Sequence, residues 1–310
     1  MLAWIASLAL AHTTPAVLGA AAWDPLIVRL SHGLAIDGAF VCPARWGGPE
    51  VPLVAWDGAR LWIAADAGVL ALDAAGRGVA TPTGPTAVRA LVAGDGAAFA
   101  LTSDSVVGFG NRSGVLPVGA RYDSLAYDGQ LWLARFDAAI ELLTLDATGI
   151  EVERRRWPVD AVGPWTAQVA LLPEPWVRLW GAGSQLWRGG ERVFEAPGPL
   201  WGPIRAPGSL ATWLSDGALY AWDGTKIEVD SSSVAYTCLG AVGPHLCTLG
   251  QLWSLAPTPV FNLGQLKPPS LDGLSETEAQ LCWAQWLDLA QEARLPSEPV
   301  TTEIEAVPTG

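Results

Sequence analysis

An apolar-aromatic pair that recurs just after a glycine turn constrains this chain more than any other feature. The pairs are Leu61-Trp62, Ala98-Phe99, Leu131-Trp132, Leu186-Trp187, Leu219-Tyr220 and Leu252-Trp253, spaced by 37, 33, 55, 33 and 33 residues. Self-similarity at such a period marks a repeat architecture, in which each unit is one supersecondary element that cannot bury its apolar surface alone. The long interval holds "WTAQVALLPEPWVRLWGAG", where Pro-Glu-Pro stands in place of Asp-Gly between two strands. Either the visible pair has slipped to the next strand there, or residues have been inserted.

Within a unit the runs are short, rich in Val, Leu and Trp, and bounded by Gly, Asp and Pro, which is the composition of strands and tight hairpins. Asp37, Asp57, Asp95, Asp128, Asp216, Asp223 and Asp272 are each followed by glycine. Two-residue hairpin turns need positive φ, which Gly adopts freely and Asp adopts tolerably, so these aspartates have a structural reason to be where they are. Units of three or four strands packed radially form a β-propeller. The expected fold is all-β, a six- or seven-bladed propeller over residues 23–270 with a C-terminal α-helix docked on it.

The segment "DGARLWIAADAGVLALDAAG", Asp57 to Gly76, resembles the repeat of two-component-regulator-type β-propellers, whose blades run roughly Asp-Gly, Leu-Trp, a glycine turn and a strand ending in Asp. Asp128 to Gly149 matches in part, and the other units keep the turn and the aromatic position. The resemblance implies the propeller fold.

The C-terminal part, residues 271–295, changes character. Ser275 with Glu278 three residues on forms a capping box, and Pro296 stops the helix that follows. Leu281, Trp286, Leu289 and Ala293 are expected to form its docking face, and residues 296–310 read as a disordered tail. The other end opens with an apolar run, Leu2 to Ala11, and then small residues suited to signal-peptidase cleavage near Ala20 or Ala22. Residues 1–22 are therefore expected to be a cleaved export signal, with a buried first strand or helix as the competing reading. No later segment carries the roughly 18 apolar residues needed to span a bilayer, so the mature chain is expected not to insert in a membrane.

Cys42, Cys238, Cys247 and Cys282 form an even set that suits an oxidising compartment. Cys238 and Cys247 flank a Gly-Pro turn and are expected to pair across a hairpin, leaving Cys42 to pair with Cys282. Four cysteines allow three connectivities in all. Basic residues number 18 against 31 acidic ones, and the net charge of −13 repels nucleic acid and anionic membrane surfaces. The basic run Arg154 to Arg156 reads as a solvated strand end.

Signatures of catalysis are few. Once a signal is removed, only His32 and His245 remain, and no nucleophile elbow, zinc-protease motif or P-loop occurs. No catalytic residue, metal ligand or cofactor is assigned, although a ring of acids at one channel mouth, with Asp24 among the places to look, would suit calcium. The 17 tryptophans are the richest feature. Trp56, Trp62, Trp132, Trp187, Trp213, Trp222 and Trp253 fall in repeat strands and should pack between blades. Trp165, Trp176, Trp180 and Trp201 lie in Pro-rich turn regions, where exposed rings would stack on sugars or anchor a protein. The expected function is a noncatalytic, periplasmic or extracellular binding protein that takes a protein or envelope glycan through its loop face or channel. The alternative is a propeller hydrolase or lyase with a metal or polar site at the channel mouth.

Overall fold

The computed structural model describes residues 17–292, apart from 24, 31, 49–52, 147, 161–162, 173, 207–208, 216–217, 231–237, 241–242, 248–250 and 254–258. Within them the chain forms seven four-stranded sheets, over residues 17–41, 53–83, 90–117, 124–158, 166–196, 200–230 and 238–262, numbered 1 to 7 in chain order. In every sheet the strands lie side by side in sequence order. A single helix among the described residues, α1 (Glu276–Glu292), follows the last sheet. The molecule is thus mostly β with one C-terminal helix.

Alternation along each strand explains how the sheets pack. In Ala97–Leu101, Ala97, Phe99 and Leu101 join Leu125, Leu131 and Leu133 of sheet 4, whereas Ala98 and Ala100 join Trp62, Val69 and Ala71 of sheet 2. The same division holds at sheets 1 and 2, 4 and 5, and 5 and 6. Middle strands such as Gly68–Leu72 and Ala139–Leu145 are consequently buried along their whole length. Both of their faces need apolar residues, so they read as continuous hydrophobic runs. Outer strands end this pattern: Glu151–Pro158 is mostly exposed and carries the Glu151–Arg154 and Glu153–Arg155 pairs. Charge on such an edge discourages edge-to-edge association.

The first strands of consecutive sheets neighbour one another from Leu53–Trp56 through to Cys238–Gly240, and Val17–Trp23 neighbours both Leu53–Trp56 and Cys238–Gly240. Like ends lie together. Asp123 and Ser124, where sheet 4 begins, accept hydrogen bonds from the Ala167 and Val169 amides where sheet 5 begins, at 3.2 and 2.9 Å. We call the end at which first strands begin the leading end, and the opposite one the trailing end.

The repeat slips between sheets 4 and 5. Leu61-Trp62, Ala98-Phe99 and Leu131-Trp132 lie on the second strands of sheets 2, 3 and 4, whereas Leu186-Trp187, Leu219-Tyr220 and Leu252-Trp253 lie on the third strands of sheets 5, 6 and 7. The long interval is this change of strand; Glu174 lies between Thr166–Leu171 and Pro175–Trp180, and Pro175 opens the second of them.

The N-terminal expectation needs correction at its boundary. Val17–Trp23 is a strand paired with Leu26–Leu30, Val17 opposite Leu30 and Trp23 opposite Leu26. A cut near Ala20 or Ala22 would fall inside it and remove the strand that neighbours sheets 2 and 7. The small apolar residues that suit a cleavage site suit a strand equally well, and the folded unit reaches back at least to Val17. Residues 1–16, with His12, and the expected tail lie outside the described residues.

After sheet 7 the chain returns to sheet 1. The Phe40 amide donates to Lys267 O and the Lys267 amide to Gly38 O, at 3.1 and 2.8 Å, and Arg45 donates to the carbonyls of Ser270 and Asp272. Helix α1 begins with the expected capping box: the Ser275 amide donates to Glu278 Oε2 (2.8 Å) and the Glu278 amide to Ser275 Oγ (3.4 Å). Its docking face differs from the expectation. Cys282 and Leu289 are buried against Val28, Phe40 and Leu266, with Trp286 packed alongside, but Leu281 is 55% exposed. Cys282, one residue along, takes the inward position because it is bonded to Cys42, with Cα atoms 5.4 Å apart across 240 residues of sequence. Cys238 and Cys247 lie on the adjacent strands of the expected hairpin, but the register sets Cys238 opposite His245 and Cys247 opposite Leu252. Their side chains lie outside the described residues.

The Cys42–Cys282 bridge closes so long a loop that chain entropy assigns it up to about 5 kcal/mol. Thermal denaturation with and without reductant should show a fall in Tm, and the Cys42→Ala/Cys282→Ala double variant should reproduce it without reductant. An unchanged Tm in both would mean that the helix is held by packing alone.

Candidate functional site

The Asp-Gly turns spend their carboxylates locally. Asp57, between the first two strands of sheet 2, accepts from the Ala59 and Arg60 amides at 2.8 Å each, from Arg60 Nε at 3.2 Å and from Trp62 Nε1 at 2.7 Å. Burial opposes ionisation of Asp57, but these hydrogen bonds and the Arg60 charge hold its carboxyl below the usual range. Arg60 also reaches Gly96 O in the corresponding turn of sheet 3 (2.7 Å). Asp128 repeats the device, accepting from the Gln130 amide and from Trp132 Nε1 at 3.0 Å. Asp95 and Gly96 both have positive φ, 53° and 74°, the pairing a type I′ turn requires, and Asp95 accepts from Tyr127 Oη at 3.0 Å. At Asp223 three donors from Thr225 and Lys226 bring the carboxyl down to about 2. These four turns are at the trailing end. Asp24 and Asp216 fall outside the described residues.

A charged cluster sits between sheets 3 and 4. Glu141, buried on the third strand of sheet 4, accepts from Tyr122 Oη (2.8 Å), Arg135 Nη2 (2.7 Å) and Arg154 Nη1. Burial works against its ionisation, yet bonds from Arg135 and Tyr122 and the two arginine charges hold it below the ordinary carboxylate range. Burial, then the bond and charge of Glu141, push the fully buried Tyr122 hydroxyl up to about 12. Arg154 is thus not simply a solvated strand end, since it closes this cluster from the outer strand. Every charge in it has an opposite partner, which is the signature of a structural network.

The four tryptophans assigned to binding separate into distinct environments. Trp176 is 1% exposed, in ring contact with Trp213 and Trp222 at 6.2 and 5.3 Å, so it is a core residue and cannot meet a ligand. The Pro-Glu-Pro turn that drew attention to it lies at the trailing end of a strand whose apolar alternation points inward. Trp180, at the other end of that strand, is 51% exposed. Trp165 is half-buried just before Thr166–Leu171, where Thr166 pairs with Trp180. Its indole packs so closely over Gly181 that a Cβ there would meet it at 3.0 Å. Trp201 stands at the start of sheet 6, whose first strand neighbours that of sheet 5; its side chain lies outside the described residues. Trp165 and Trp180 therefore stand at the leading end of sheet 5 on opposite faces, Trp165 towards sheet 4 and Trp180 towards sheet 6, and the backbone sets Trp201 at the same end of the next sheet.

Below Trp180 lies a polar layer that turn composition does not reveal. Arg178 shares a face with Trp176 and Trp180, its guanidinium carbon 5.3 Å from the Trp180 ring centre. It donates to Gln168 Oε1, directly across the strand pair, and to Leu200 O on sheet 6. Ser215, fully buried opposite Leu200, has no hydrogen-bond partner for Oγ among the described residues. The readable signal was one arginine in the apolar strand "PWVRLW". Elsewhere an open groove of about 560 Å³ is lined by Pro158, Val159, Asp160, Trp187 and Arg192. Among the described residues no three His, Cys, Asp or Glu side chains converge as metal ligands would, and no helix is long and apolar enough to cross a membrane.

No protein-family model matches the chain, and no curated protein sequence does. Solved structures resemble it in part. The extracellular domain of BT4673 from B. thetaiotaomicron is 13% identical with a TM-score of 0.50, covering 74% of this chain and 35% of that one. The WD40 domain of Neurospora crassa Pan2 is 13% identical, with a TM-score of 0.39 and 63% of each chain covered. This chain spans about a third of the BT4673 chain, so the likeness concerns architecture. It agrees with a propeller-type arrangement of the sheets.

Replacing Glu141 with Gln leaves two arginines without their shared counter-charge and should cost roughly 2–4 kcal/mol at neutral pH. Because the folded carboxyl titrates below its unfolded value, its contribution is complete above about pH 4.3 and is lost as the pH falls through the folded value. Urea denaturation should therefore show the wild-type advantage over Glu141→Gln shrinking as the pH falls below about 4.3. A gap that does not depend on pH would assign the effect to packing.

Proposed function

We propose that the chain is an exported, noncatalytic β-propeller, its seven sheets forming seven blades closed between sheet 7 and sheet 1, that binds a protein or glycan of the cell envelope. The binding surface is the leading end of sheets 5 and 6. One observation carries this reading: the exposed Trp180 stands there beside the polar layer of Arg178 and Gln168, on strands held rigid by the core below. Exposed tryptophan beside hydrogen-bonding groups is the usual make-up of an anchor for a sugar ring or a partner's apolar side chain. The Asp-Gly acids of the trailing end, which the enzyme alternative would use, have their carboxylates occupied by turn amides and indoles. Export is supported by Cys42–Cys282, since a structural disulfide persists in an oxidising compartment. The extracellular BT4673 domain shares the architecture.

The test is retention of envelope glycans and envelope proteins on the immobilised chain, compared with Trp180→Ala and Trp165→Ala. Because Trp180 is exposed, its truncation should leave Tm within about 1 °C of wild type while weakening the retained ligand about tenfold or more. Ligands held equally well by both variants would move the binding surface away from this end.

A further inference from the structure

Among the described residues, Arg178 is a desolvated cation with no anion beside it. Arg60, Arg77, Arg89, Arg135, Arg154, Arg155, Arg188 and Arg192 each lie within 4 Å of a carboxylate. Arg178 has no such partner among the described residues: its two contacts are neutral oxygens, Leu200 O and Gln168 Oε1, and Nε is buried with none. Burial lowers its pKa and no neighbouring charge acts against that shift. A buried charge left uncompensated is costly, and such groups concentrate where a ligand completes the site.

The surroundings define the ligand. Trp180 offers an exposed indole within reach of the guanidinium. Ser215 Oγ, fully buried and unpartnered among the described residues, lies opposite the residue whose carbonyl Arg178 holds. Gln168, exposed on the first strand, adds a side-chain amide at the same level. A planar fork, a flat apolar wall and neutral hydrogen-bonding groups together match a ring that carries a carboxylate and hydroxyls. Guanidinium and carboxylate pair in two-pronged geometry, while the C–H face of a pyranose packs on indole.

We propose that the leading end between sheets 5 and 6 binds an acidic sugar residue, a hexuronate, with its carboxylate on Arg178 and its ring against Trp180. This rests on the reading of that end as the binding surface and narrows its ligand. The overall charge of −13 disfavours long polyanions, so the site takes single uronate residues within an otherwise neutral chain, or at its end.

The experiment is calorimetric titration of the full chain with short oligosaccharides bearing one glucuronate, galacturonate or mannuronate, each beside its carboxyl-reduced counterpart. At least one acidic form should bind about tenfold more tightly than its reduced form, the advantage fading as salt rises. Trp180→Ala should weaken both forms, and Arg178→Lys, with Tm measured in parallel, should abolish the preference for the acid. Equal binding of acidic and reduced forms, still sensitive to Trp180→Ala, would overturn the uronate assignment while leaving the binding surface in place. Failure of every oligosaccharide in either form would overturn the uronate assignment and the glycan half of the proposed function, leaving a protein partner.

Discussion

Mutual coverage of sheet faces is the constraint on which the rest of this structure depends. A four-stranded sheet whose middle strands are apolar on both sides is stable only when another sheet covers each face. The clusters between consecutive sheets supply that coverage at the boundaries from sheet 1 through sheet 6. Each strand contributes alternate residues to two different cores, so a one-residue register slip would exchange its contents between them. This ties register to turn geometry. The Asp-Gly turns matter because they fix that register: Asp57 and Asp128 bind the turn amides and the indole of the following strand in one arrangement, linking turn to packing residue.

Such an arrangement must hold its first and last units together. In this chain sheet 1 is built wholly from consecutive N-terminal strands, so no strand from the C-terminus completes it. Besides the packing of Phe261 against sheet 1, the returning segment is tied to sheet 1 outside the sheet. Lys267 runs beside Ala39 as a single parallel bridge, Arg45 grips two carbonyls of the returning segment, and Cys282 bonds Cys42. Because the helix buries only one side on sheet 1, its remaining apolar residues, Leu281, Trp283 and Leu287, stay exposed.

Much of this was legible in the sequence because turns and alternation are local. The glycine-bounded runs, the capping box at Ser275 and the slip signalled by Pro-Glu-Pro all depend on neighbouring residues. What was not legible depends on which neighbour a strand meets. Leu281 and Cys282 are adjacent, and only the Cys42 bond decides which faces inward. Val17–Trp23 has the small, apolar composition of a leader's end and of a strand at once, and its pairing with Leu26–Leu30 separates the two. Trp176 and Trp180 share a face of one strand four residues apart, yet one is core and the other surface, because Trp213 and Trp222 of sheet 6 cover the first and nothing described covers the second.

That contrast also explains why this end can hold a site. The boundary between sheets 5 and 6 holds an interlocked aromatic layer: Trp176, Trp213, Trp222, Phe194 and Tyr220 are in ring contact, with Trp213 and Tyr220 stacked 5.9 Å apart at 3°. Arg188 seals the trailing side of this layer, 4.1 Å from the Trp222 ring centre and paired with Glu174. Arg178 occupies the equivalent place on the leading side, over Trp180, without a carboxylate among the described residues. Two arginines flank one aromatic layer, and the chain neutralises one of them. Rigid rings below fix the position of Arg178 and Trp180 before any ligand arrives, and such preorganisation reduces the entropy lost on binding. The layer that stabilises the boundary is therefore also what would make its open end selective.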